Sequence, residues 1–148
     1  MKPSNSIDIE TEIDPLLGAE STIVSAIMTR ELTVADPEQP VAELLDLFSR
    51  VEFHHIPVVV DQELVGIVTD YYIEKSFGEA GSDVDGLTAG GIMSTELVTA
   101  DGNTSVDCAA ILLLENDISC LPIIDDDELL VGLVTWKDLL KYFVYREG

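Results

Sequence analysis

Met28-Thr29-Arg30-Glu31-Leu32 and Met93-Ser94-Thr95-Glu96-Leu97 are one phrase written twice, 65 positions apart. Working outward from it, the register holds. Ala35-Asp36 meets Ala100-Asp101, Val41 meets Val106, Leu47 meets Leu112, Ile56-Pro57 meets Leu121-Pro122, and Glu63-Leu64 meets Glu128-Leu129. After a one-residue insertion the match resumes as Gly66-Ile67-Val68-Thr69 against Gly132-Leu133-Val134-Thr135. Agreement over so many positions marks an internal duplication, which decides the fold before any single element does.

Each copy has the same grammar. A short strand, Leu32 to Ala35 or Leu97 to Ala100, follows the Met-Thr or Met-Ser pair. A helix comes next, with Val41, Leu44, Leu45, Phe48 and Val51 forming an i, i+3, i+4, i+7 stripe, and Pro40 suits its first turn. The second copy runs Val106, Ala109, Ala110, Leu113, with Ile111, Leu112 and Leu114 widening the stripe, so this helix is expected to meet apolar surface on more than one side. Two strands then form a hairpin: Ile56 to Val60 with Leu64 to Val68, and Leu121 to Ile124 with Leu130 to Val134. Their turns are Asp61-Gln62-Glu63 and Asp125-Asp126-Asp127-Glu128. Each copy closes with a helix, from about Asp70 to Lys75 and from about Trp136 to Tyr145. The expectation is an α/β (α+β) chain of two β-α-β-β-α repeats. Residues 1–21 form an acidic N-terminal arm, 22–77 repeat 1, 78–90 a Gly-rich polar linker, and 91–148 repeat 2.

Composition narrows the partners. The 148 residues include 29 acidic and 7 basic side chains, a formal net charge of −22. Such a field repels phosphate backbones and anionic lipid, so neither nucleic acid nor membrane is an expected partner. Hydrophobic residues make up 47% of the chain but aromatics only 6%, which predicts an aliphatic core. Cys108 and Cys120 lack metal-ligand spacing and read as free thiols of a reducing compartment. With no signal peptide and no apolar run near ~20 residues, the expected location is cytoplasmic. No nucleophile-base set, Gly-rich phosphate loop or metal-ligand cluster emerges, so no catalytic residue, metal or required cofactor is assigned and the chain is not read as an enzyme.

Three cues recur at matched spacing: Ile27-Met28-Thr29 and Ile92-Met93-Ser94, then His55-Ile56-Pro57-Val58 and Cys120-Leu121-Pro122-Ile123, then the Gly-hydrophobe-Val-Thr strand ends. Together they resemble the tandem CBS (cystathionine-β-synthase) domain pair, or Bateman module, over about Thr22 to Tyr145. The resemblance implies repeats packed with pseudo-twofold symmetry through their sheets. It also implies clefts between repeats for adenosine-containing ligands (AMP, ADP, ATP or S-adenosylmethionine), and a homodimer formed through the helices. The functional expectation is a stand-alone regulatory sensor that binds such an effector and modulates a separate effector protein. The alternatives are a structural or protein-interaction module with vestigial clefts, and a divalent-cation sensor using carboxylates such as those of Asp125 to Glu128, whose plainer reading is a solvated turn.

The resemblance also implies where ligand binds. Family members hold ribose with a Thr/Ser-x-x-Asp motif at the start of each repeat's last helix, present in the second copy as Thr135-Trp136-Lys137-Asp138. A carboxylate can accept from both ribose hydroxyls, while helix N–H groups and Lys137 favour phosphate. Thr-x-x-Asp is also close to a capping box, and both roles can coexist. Val98, Thr99 and Ala100 are expected to line the base pocket, with Ser119, Cys120, Leu121 and Pro122 beside the phosphate. In the first copy the corresponding residues are Thr33, Val34 and Ala35, His54, His55, Ile56 and Pro57, and Thr69 with Tyr72. There Tyr72 stands where the carboxylate belongs, so this site is either degenerate or adapted to another ligand. The second site is the expected working one.

Overall fold

The computed structural model describes residues 22–50, 55–80 and 86–145. The expected acidic arm, the end of the first helical stripe at Val51, His54 and the middle of the linker lie outside the described residues. In chain order the elements are a 3-10 turn (Val24–Ala26), α1 (Val41–Arg50), β1 (His55–Val60), β2 (Glu63–Thr69), α2 (Asp70–Ala80), α3 (Ala89–Ile92), β3 (Ala100–Asp101), α4 (Val106–Asn116), β4 (Cys120–Ile124), β5 (Leu130–Thr135) and α5 (Trp136–Tyr145). The architecture is mixed α+β, as the repeat grammar predicts.

Two compact units divide the chain, and they are not the two repeats. One comprises residues 33–97 with 128–130 and is called here the Tyr72 unit; the other comprises 1–32, 98–127 and 131–148, the Asp138 unit. Each therefore takes its opening Met segment from the other repeat.

In the Tyr72 unit, β1 and β2 pair antiparallel, with His55 opposite Thr69 and Val60 opposite Glu63 and an irregularity between Val58 and Val59. The two-residue turn places Asp61 at φ 52° and Gln62 at φ 72°. Both central residues are thus left-handed, as a tight hairpin that follows strand twist requires. Ala35, Val41, Leu44, Ile56, Val58, Val68, Ile73, Ala89 and Ile92 form the core. Met93 lies flat on Gly66, where any Cβ would run into its sulfur, and the Ser94 and Ile67 backbones exchange hydrogen bonds at 2.8 and 3.0 Å.

The Asp138 unit repeats the plan with the roles exchanged. Its three-stranded sheet has the order β3-β4-β5, with β3 parallel to β4 through Ala100–Ile123 and Asp101–Ile124. Val24, Met28, Val106, Ala109, Leu113, Leu121, Ile123, Val134 and Leu139 build its core. Met28 covers Gly132 as Met93 covers Gly66, and the Thr29 and Leu133 backbones exchange hydrogen bonds at 2.8 and 3.0 Å. Ser105 caps α4 by accepting from Cys108 N–H at 3.0 Å, and Asp117 ends the helix in the left-handed region.

Three local expectations change. The strands expected at Leu32–Ala35 and Leu97–Ala100 shrink to a single bridge, Ala35 with Val58, and to the two residues of β3. In both copies an aspartate turns the chain away at once: Asp36 Oδ1 accepts from Glu38 N–H, and Asp101 Oδ1 from Asn103 N–H, each at 2.8 Å. Such side-chain turns compete with ladder pairing. The helix expected to end near Lys75 continues to Ala80, and Ala89 and Gly90, expected as the end of the linker, open a short helix, Ala89–Ile92, capped by Thr88.

Candidate functional site

The side chain at the start of α5 carries the chemistry of the Asp138 unit. Thr135 ends β5 and is the N-cap residue of α5. Its hydroxyl accepts from Asp138 N–H at 3.3 Å, while Asp138 Oδ2 accepts from Thr135 N–H at 3.0 Å. That is a complete capping box, so the structural half of the Thr-x-x-Asp reading is present. Asp138 Oδ2 also accepts from the Thr135 hydroxyl at 3.2 Å. A further donor comes from far off in sequence: Thr29 Oγ1 reaches Asp138 Oδ1 at 3.1 Å and Oδ2 at 3.2 Å. Sequence reasoning missed Thr29. In the sequence the Met-Thr dipeptide marks the start of its own repeat, whereas in the structure it packs into the unit that holds Asp138.

The charge of this carboxylate is felt by Cys120, on β4. Burial and then the Asp138 charge push its thiol up from 9.0 to about 12, so it stays a neutral thiol at physiological pH. Leu121 is wholly buried in the core. Pro122 is buried, Ser119 exposed, and Val98, Thr99 and Ala100 half-buried. Lys137 is exposed on the first turn of α5, where its charge adds to the positive end of the helix dipole.

The equivalent place in the Tyr72 unit is built differently. Thr69 caps α2 by accepting from Tyr72 N–H at 3.4 Å, but no carboxylate returns the bond. Tyr72 instead meets Tyr71 edge-on, with ring centroids 5.4 Å apart. Ala35 and Ile56 are core residues, Pro57 is buried, Val34 is exposed, and Thr33, His55, Thr69 and Tyr72 are half-buried. Tyr72 offers one hydroxyl where the Asp138 unit has a carboxylate.

The acidic tip Asp125 to Glu128 is exposed. Asp127 N–H donates to Asp125 Oδ1 at 2.9 Å, and Glu128 has φ 66°. Among the described residues, no group of three or more His, Cys, Asp or Glu side chains is gathered to hold a metal ion, and no helix is long and apolar enough to cross a membrane.

The exchanged Met-on-Gly packing, the two hairpins and the Thr-x-x-Asp helix start agree with the comparison to known families. The CBS domain model matches twice, at residues 24–77 and 89–145. This chain belongs to the CBS domain family. Among solved structures, the CBS pair of protein MJ0100, in complex with 5′-methylthioadenosine and S-adenosyl-L-methionine, is 27% identical with TM-score 0.75, the match covering 86% of this chain and 99% of that one. CBSX2 in complex with AMP is 27% identical with TM-score 0.72, covering 82% and 96%. The uncharacterized protein MJ1225 of Methanocaldococcus jannaschii is 28% identical over 84% of this chain and 48% of its own length. The chain thus spans half or less of the curated relatives it first matches. One is the larger enzyme inosine-5′-monophosphate dehydrogenase of Thermoplasma acidophilum, of which it covers 25%.

Proposed function

We propose that this CBS pair is a regulatory sensor that binds an adenosine-containing ligand at Asp138 and modulates a separate protein, without catalytic activity of its own. The observation that carries the reading is the Asp138 carboxylate. It is half-buried at the start of a ten-residue helix, and its Oδ1 is left outside the capping box, where a ribose diol can donate to it. Thr135 and the exposed Lys137 add a hydroxyl and a positive charge toward a phosphate. In this reading Ser119, Cys120, Leu121, Pro122, Val98, Thr99 and Ala100 face the ligand. That similar CBS pairs occur in complex with AMP or S-adenosylmethionine supports the ligand class. A nucleoside or monophosphate suits the site better than a triphosphate, because each added charge enters a field of −22. Free thiols at Cys108 and Cys120 agree with a cytoplasmic setting.

Thermal melting with millimolar AMP, ADP, ATP and S-adenosylmethionine tests this. A ligand at one hundred times its Kd adds about 2.7 kcal/mol, a rise of several degrees for a chain of this size, and Asp138→Ala abolishes the rise. If none of the four moves the transition, the reading is wrong.

A second role has its own observation. Trp136, Leu140, Phe143 and Val144 leave an exposed apolar stripe along α5, which supports self-association through this helix into a homodimer.

A further inference from the structure

Thr29 stands apart from the other donors to Asp138. This inference rests on the ligand site proposed above. A carboxylate offers about four lone-pair positions. Oδ2 already receives the Thr135 amide at 3.0 Å, a bond that cannot leave without uncapping α5, and the Thr135 hydroxyl at 3.2 Å. Oδ1 is engaged by the Thr29 hydroxyl at 3.1 Å, and the same hydroxyl lies 3.2 Å from Oδ2. A vicinal diol brings two donors and needs the positions that the capping box leaves over. The Thr29 hydroxyl, with its one proton, competes for them.

The hydroxyl is delivered by a fixed backbone. Thr29 N–H donates to Leu133 O at 2.8 Å and Thr29 O accepts from Leu133 N–H at 3.0 Å, while neighbouring Met28 is buried over Gly132. The Thr29 side chain itself is exposed, so its hydroxyl can turn away while the main chain stays in place. In the Tyr72 unit Ser94 keeps the same backbone pairing with Ile67 but has Tyr72 rather than a carboxylate at the helix start, so this contact belongs to the Asp138 unit alone.

We infer that the Thr29 hydroxyl is an internal stand-in for a ligand hydroxyl: it occupies Asp138 in the free protein, and a ribose diol binds by displacing it. Thr29 therefore sets the affinity of the site and its preference for ligands with a complete diol. The free protein's self-contact lowers apparent affinity by the fraction of time that the carboxylate is occupied.

Calorimetric titration of wild type, Thr29→Val and Thr29→Ser with AMP and with 2′,3′-dideoxy-AMP tests this. Valine keeps the branched shape at an exposed position and leaves the Leu133 pairing intact, so folding is retained. Thr29→Val is expected to bind AMP roughly three- to tenfold more tightly, Thr29→Ser to bind as wild type does, and the dideoxy ligand to bind both proteins equally. A merely structural role would change both ligands alike. Equal or weaker AMP binding by Thr29→Val overturns the inference. If wild type binds AMP and Asp138→Ala does not, that failure leaves the ligand site standing. If wild type and Thr29→Val both ignore AMP, the site and the inference fall together.

Discussion

The Cys120 thiol is buried and feels the Asp138 charge, which has a consequence in alkali. The Cys120 thiol is raised from 9.0 to about 12, first by burial and then by the Asp138 charge. An unfolded chain releases that proton near pH 9, while the folded chain holds it. Its contribution to stability is therefore intact below pH 9 and is lost as pH climbs from 9 toward 12, by up to about 1.4 kcal/mol per pH unit. Urea unfolding at pH 8 and pH 10 should show this loss in wild type and a much flatter change in Cys120→Ala. An equal alkaline loss in the variant would assign it to other groups. At this scale the sequence was only half legible. Thr-x-x-Asp is one spelling for a capping box and for a ribose grip, because both need an acceptor at the helix start. Thr29 escaped notice because a contact over 109 positions leaves no local trace.

Among the elements, the hairpins and long helices were readable because period-2 and period-3.6 patterns report burial directly. The opening strands were not, since Ala35 and Ala100 carry β-compatible neighbours yet Asp36 and Asp101 turn the chain within one residue. The Gly-hydrophobe-Val-Thr cue was seen without its cause, which is the methionine resting on glycine backbone. Gly132→Ala is expected to cost about 1–3 kcal/mol, because Met28 is buried and has to shift. Adding Met28→Ala should make the second change nearly free, a coupling that a double-mutant cycle in urea measures. Additive losses would show that the two residues do not press on one another.

For the whole molecule, the repeat was legible but its partition into units was not, since a duplication says nothing about which copy a segment packs into. An exposed apolar surface lies on α5, where Leu140 is 60% and Val144 68% exposed. Positions 136, 140, 143 and 144 fall on one helical face. The helix expected from sequence to need a second apolar neighbour was α4, whose Leu114 is indeed exposed, but the longer stripe is on α5. Leu140→Lys is expected to leave the melting temperature of the free chain nearly unchanged and to convert a dimer to a single copy in light scattering. An unchanged mass would show that this stripe is not where copies meet.

The exchange of opening segments also has a history in the ribosome. Residues 22–32 are made well ahead of their partners, since Val24 and Thr29 find their hydrogen bonds at Thr104 and Leu133. At about 5–20 residues per second, these apolar residues wait on the order of five to twenty seconds for the strand that will cover them. Meanwhile nearly all of the Tyr72 unit has been made. The earliest of the described segments is thus among the last to be satisfied, and that interval is when the nascent chain is most open to a chaperone or to the wrong neighbour.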